Sequence, residues 1–141
     1  MCKKIFAFLL AFSMMFSISV PAFAAEKLDV AKANSGYQIM WTNTDLVIVA
    51  LNFSGNKAEC SSEIYARPGA TKISATFLLK QVTSNGTKTV KSWTQSVSGD
   101  TLYFDKEYYV TSGNTYVFEV NASVYWNGTV EYVTVSDKNS C

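Results

Sequence analysis

The sequence predicts an all-β protein, an antiparallel sandwich of seven or eight strands, and three observations carry that expectation. The first is Thr115–Ser136, where two runs rich in β-branched and aromatic residues flank Asn127-Gly128. That dipeptide suits the two positive-φ positions of a type I′ turn, so the runs read as a hairpin. A two-residue loop sets Val124 opposite Glu131, Ala122 opposite Val133 and Val120 opposite Val135. One hairpin face is then apolar apart from Glu131, and the other carries Asn121, Ser123, Tyr125, Tyr132 and Thr134. Two strands alone are marginal in water, so the apolar face must lie on a second sheet. The second observation is punctuation: Gly36, Gly55, Gly69, Gly86, Gly99, Gly113 and Gly128 all fall between alternating runs, the spacing of a sandwich or barrel. The third is that no stretch beyond residue 36 holds a helical period.

Taken in order, the chain opens as a secretory signal peptide. Lys3 and Lys4 precede an apolar run from Ile5 to Val20, and Pro21-Ala22-Phe23-Ala24 supplies small residues at a cleavage site. The expected cut follows Ala24, with Ala25 the neighbouring alternative. The apolar run falls short of the roughly 20 residues that a spanning helix needs, and no later run is long enough. The domain expectation is therefore 1–24 signal peptide, 25–36 flexible N-terminal arm and 37–141 β-sandwich, with the mature chain secreted and at most loosely held at a cell wall.

Within the sandwich the strands are expected near Tyr37–Thr42, then over Leu46–Phe53 with Val47, Val49, Leu51 and Phe53 on one face. Lys57–Ala66 follows with Ala58, Cys60, Ser62 and Ile64 inward, then Thr71–Val82 with Ile73, Ala75, Phe77 and Leu79. Thr87–Ser96 and Thr101–Val110 precede the hairpin, the latter with Leu102, Phe104, Tyr108 and Val110 inward. At Asn85-Gly86 a two-residue loop would oppose Lys80 and Lys91, an unfavourable pair. A three-residue loop with Gly86 in a bulge pairs Phe77 with Trp93 instead, and is preferred. Trp41, Trp93, Phe77 and Phe118 are assigned to the core.

Ser112-Gly113-Asn114-Thr115-Tyr116-Val117-Phe118 resembles the corner of immunoglobulin-like domains, where a Tyr opens a strand two residues before a core position. Phe118 stands at that core position in place of the usual Cys. This makes an immunoglobulin- or fibronectin-like sandwich the expected fold. Across its mature length the chain also resembles small secreted proteins of unknown function from spore-forming Gram-positive bacteria. The matching residues are Ala58-x-Cys60, Gly69-Ala-Thr-Lys-Ile73, Lys91-Ser-Trp93, Gly113-Asn-Thr-Tyr116, Gly128 and Glu131. They mark turns and core, so the resemblance implies a secreted sandwich and no activity.

Beyond the signal, ten basic residues face eleven acidic ones. The cations are scattered, with no basic run interleaved with aromatics, so neither nucleic acid nor a membrane is an expected partner. Cys60 and Cys141 invite a disulfide in an exported chain. Closing that long loop would contribute on the order of 4 kcal/mol; the alternative is a small buried hydrophobe and a free thiol.

The chain has no histidine. This removes the usual general base near neutral pH, the Ser-His-Asp and Cys-His nucleophile systems, and the commonest metal ligand. Asp105 and Glu107 share a strand face but read as charge on a solvated edge rather than as a hydrolase pair. Four Asn-x-Ser/Thr triplets, at Asn52, Asn85, Asn121 and Asn127, arise readily in polar strands and turns. No catalytic residue, metal or cofactor is expected. The surplus is aromatic: Tyr103, Tyr125 and Tyr132 at outward parities, and Trp126 at the hairpin end, could stack on sugars or anchor a protein. The expected function is a non-catalytic extracellular binding or interaction module, its partner a protein or glycan. A carbohydrate- or cell-wall-binding domain using those four aromatics is the alternative, and a secreted effector or bacteriocin-like protein the next.

Overall fold

The computed structural model describes residues 41–141. The expected signal peptide, the arm and most of the strand near Tyr37–Thr42 lie outside them; Trp41 and Thr42 themselves are not strand. Seven strands follow: β1 (Thr44–Ser54), β2 (Lys57–Ala66), β3 (Ala70–Thr83), β4 (Gly86–Ser98), β5 (Thr101–Tyr109), β6 (Thr115–Trp126) and β7 (Thr129–Ser140). They form two antiparallel sheets, β1-β2-β5 and β4-β3-β6-β7. Constant-type immunoglobulin domains place their fourth strand beside the fifth; here β4 stays beside β3.

Period-two alternation builds both sheets. The inward residues Val47, Val49, Leu51, Ala58, Cys60, Ile64, Leu102 and Phe104 of one sheet meet Ile73, Ala75, Phe77, Leu79, Phe118, Val120, Val124 and Val133 of the other. At the centre the rings of Phe77 and Phe104 stack across the two sheets with centroids 3.7 Å apart, and Phe118 lies 5.9 Å from Phe104. Each such buried aromatic contributes about 1.5–3 kcal/mol of burial.

The β6–β7 hairpin has the expected register, Val124 with Glu131 and Val120 with Val135, and Asn127 (φ 48°) and Gly128 (φ 75°) occupy the turn. In the β3–β4 hairpin Phe77 does pair with Trp93. The loop differs from expectation: Thr83 pairs with Gly86, leaving Ser84 and Asn85 in the turn, and the extra residue is Val90, between Lys91 and Thr89. A bulge there turns Val90 toward the core, against which it packs.

Tyr116 is buried, and its hydroxyl bonds both backbone groups of Thr111. The corner expected from the sequence is therefore formed.

No disulfide joins Cys60 and Cys141; both are free. Cys60 is fully buried between Leu51 and Lys106 in the ladder. Cys141 lies at the end of the sandwich, its thiol on the Gly55 carbonyl at 3.3 Å. Gly55 adjoins the Ser54–Lys57 pair, and Cys60 lies three residue steps along β2 from Lys57. That is roughly 10 Å of strand, beyond the roughly 7 Å Cα separation that a bridge tolerates. Burial, with a smaller contribution from Asp105, pushes the Cys60 thiol up to about 12.

The two sheets are stitched along the β1–β7 seam by side chains. The Glu131 carboxylate accepts from the amides of Thr42 and Asn43 and from the Thr44 hydroxyl. Asn43, itself buried, donates to the Thr129 hydroxyl at 3.1 Å. Further along, Asp137 accepts the Leu51 amide at 2.8 Å and Asn139 donates to the Leu51 carbonyl at 2.9 Å. These contacts occupy backbone groups that an edge strand would otherwise offer to a stray partner.

Candidate functional site

Among the described residues the inward side chains are committed to the core, which leaves the outward parities and the strand ends as the surfaces open to a partner. The outer face of β1-β2-β5 is a regular grid. Its rows across the three strands, set by the ladder, are Leu46–Tyr65–Thr101, Ile48–Glu63–Tyr103, Ala50–Ser61–Asp105, Asn52–Glu59–Glu107 and Ser54–Lys57–Tyr109.

The first two rows form a compact cluster. The Tyr65 and Tyr103 rings meet edge to face, centroids 6.0 Å apart at 87°. The Tyr65 hydroxyl donates to Glu63 at 2.6 Å and lies 3.4 Å from the Tyr103 hydroxyl. The Glu63 bond first, and Tyr103 second, raise the Tyr65 phenol above its ordinary 10.0. Leu46 and Ile48, each 40% exposed, flank the pair on β1, and Tyr103 is 61% exposed. Aliphatic and aromatic side chains are thus left in water beside a carboxylate.

The remaining rows are acidic. Glu59 and Glu107 oppose one another directly, a destabilising placement. Lys57 reaches both, at 3.6 Å and 3.0 Å, and its bond to Glu107 raises the ammonium above 10.5. Across the face four carboxylates (Glu59, Glu63, Asp105, Glu107) stand against that single cation. Asp105 and Glu107 share the face as their spacing requires.

The opposite outer face, on β4-β3-β6-β7, is rich in hydroxyls and mildly basic. Lys72, Lys80 and Lys138 share it with Glu119, to which Lys80 is bridged at 3.0 Å. The hydrogen bond from Asn121 first, and that from Lys80 next, hold the Glu119 carboxyl below its ordinary value.

The four aromatics singled out from the sequence lie in three places. Tyr103 is on the acidic face. Tyr125 and Tyr132 are on the hydroxyl face, where Lys72 covers the Tyr125 ring at 5.5 Å and Tyr132 is 80% exposed. Trp126 is half-buried at the end of the sandwich. Its indole Nε1 donates to the Pro68 carbonyl at 3.1 Å, and the Arg67 guanidinium sits 4.6 Å from the ring centre. Gly69 (φ +95°) lets the turn approach this ring; a Cβ there would lie 3.4 Å from Nε1. Sequence reasoning missed Tyr65, Leu46, Ile48 and the place of Glu63 in their cluster. The outward parity of Tyr65 was a signal for it; its pairing with Tyr103 depends on β5 joining β2. Among the described residues, no group of three or more acidic or sulfur side chains is placed to hold a metal ion.

No protein-family model matches the sequence, and no curated relative matches it. Among solved structures the chain is similar to CsgH of R. palustris, at 15% identity and a TM-score of 0.38, over 67% of this chain and 89% of that one. It is also similar to OgpA of Akkermansia muciniphila, at 11% identity and a TM-score of 0.34, over 75% of this chain and 32% of that one. Likenesses this distant bear on neither function nor partner.

Proposed function

We propose that this chain is a non-catalytic, exported interaction module that docks its partner on the outer face of β1-β2-β5. The observation that supports this reading is the half-buried Tyr65 packed edge-on against the exposed Tyr103, with the exposed Leu46 and Ile48 beside Glu63. Such a cluster loses burial energy in the free chain and regains it under a partner, and exposed Tyr is a common interface anchor. A glycan bound on the opposite face is the second reading, favoured by the exposure of Tyr132 among hydroxyl side chains.

Retention of the purified chain on insoluble peptidoglycan, chitin, cellulose and immobilised peptides of either charge separates the two. Wild type is compared with Tyr103→Ser and Tyr132→Ser. Retention lost only with Tyr103→Ser supports docking on the three-stranded face. Retention lost only with Tyr132→Ser moves the site to the four-stranded face, and no retention on any surface overturns the proposal.

A further inference from the structure

The charges and spacing of the same face identify the chemistry of its occupant. We infer that the outer face of β1-β2-β5 binds an extended cationic polypeptide carrying Lys or Arg at alternate positions; this rests on the docking reading above.

Charge complementarity is the first argument. Four carboxylates against Lys57 leave the face acidic: that one cation is shared by the opposed Glu59 and Glu107, and an incoming cation supplies the second charge the pair lacks. The second argument is ring chemistry. Cations elsewhere in this molecule cover aromatic rings: Arg67 over Trp126, Lys72 over Tyr125, and Lys91 over both Trp93 and Tyr108. None of these cations lies over Tyr65 or Tyr103, which stand beside the Glu63 carboxylate, a combination suited to an ammonium or guanidinium.

Spacing distinguishes a polypeptide from a point cation. Glu63, Asp105 and the Glu59–Glu107 pair lie on successive rows two residues apart, about 6.6 Å at strand rise. An extended polypeptide laid along the strands projects every second side chain toward the face at the same interval. Its cations would fall on successive carboxylate rows, while its aliphatic stems cover Leu46, Ile48 and the tyrosines.

The test uses two ten-residue probes of identical composition, one alternating Lys and Ser, the other with five Lys in a block. A chitosan oligomer of equal charge and a polyglutamate peptide accompany them. Fluorescence anisotropy with the full chain at low ionic strength reads affinity. The alternating peptide is expected to bind more tightly than the block isomer and the chitosan oligomer, with no binding of polyglutamate. Glu63→Gln and Tyr103→Ser should each weaken it by roughly two- to five-fold, the paired Glu59→Gln/Glu107→Gln variant should flatten its salt dependence, and Tyr132→Ser should leave it unchanged.

Equal binding of the two isomers, or tighter binding of chitosan, overturns the inference, as does an affinity insensitive to Glu63 and Tyr103. A Tyr103-dependent interaction with an uncharged surface would also overturn it, while leaving docking on this face intact. Concentration-dependent sedimentation of the chain alone that Tyr103→Ser abolishes would assign the face to a second copy and overturn the cationic partner.

Discussion

The Tyr116 hydroxyl donates to the Thr111 carbonyl at 2.8 Å and accepts from the Thr111 amide at 3.1 Å. One side chain thereby satisfies both backbone groups of a residue five positions upstream and fixes the loop from β5 into β6. Tyr116→Phe keeps the ring in the core and strands those two groups. Equilibrium denaturation should show a loss of about 1–3 kcal/mol, and an unchanged midpoint would deny the corner a stabilising role.

Glu131 holds the entry to β1 through two amides and a hydroxyl. Bonds to a charged acceptor are worth about 1.5–3 kcal/mol each at most and are not additive. Glu131→Ala is therefore expected to cost about 2 kcal/mol or more, and Glu131→Gln less. Hydrogen exchange should accelerate first at the Thr42 and Asn43 amides. Exchange there at the wild-type rate would mean that another contact anchors the segment.

The two thiols should differ in reactivity. Cys60 is fully buried with its thiol pushed up to about 12, whereas Cys141 is half-exposed at the end of the sandwich. Alkylation of the folded chain at pH 8, mapped by peptide mass, is expected to label Cys141 and spare Cys60 until denaturant is added. Protection of both thiols that a reductant lifts would instead show a bridge.

Acid should weaken the contact between Glu119 and Asn121. The folded carboxyl lies below its ordinary value of 4.5, chiefly because Asn121 donates to it at 2.8 Å. The stabilisation is complete above about pH 4.5 and is lost as pH falls through the folded value. The stability difference between wild type and Asn121→Ala should therefore shrink on acidification across that window. A difference independent of pH would leave only the Asn121 bond with Thr134 to account for it.

Much of the sandwich was legible because its determinants are local. Asn127-Gly128 sets its own hairpin, and alternation marks the buried faces of β1, β2, β3 and β6. The pairing of Phe77 with Trp93 followed from avoiding Lys80 opposite Lys91. What escaped depends on distant partners. Trp126 looked exposed at a hairpin end, but its hydrogen-bond acceptor is Pro68, 58 residues away. Glu131 stood out as an acid on an apolar face, yet the amides it satisfies lie 88 and 89 residues upstream. The Val90 bulge answers to packing against the core. The Tyr65–Tyr103 cluster exists only because β5 pairs with β2, which no local pattern in either strand specifies. The same long-range packing keeps Cys60 from Cys141.

The central claim, docking on the outer face of β1-β2-β5, is tested most directly by mapping backbone amide shifts of the ¹⁵N-labelled chain during titration with the alternating Lys–Ser peptide. The account predicts saturable shifts concentrated at Ile48, Glu63, Tyr65, Tyr103 and Asp105, with the four-stranded sheet silent. Shifts centred on Ser123, Tyr132 and Thr134, or none at saturating peptide, would contradict it.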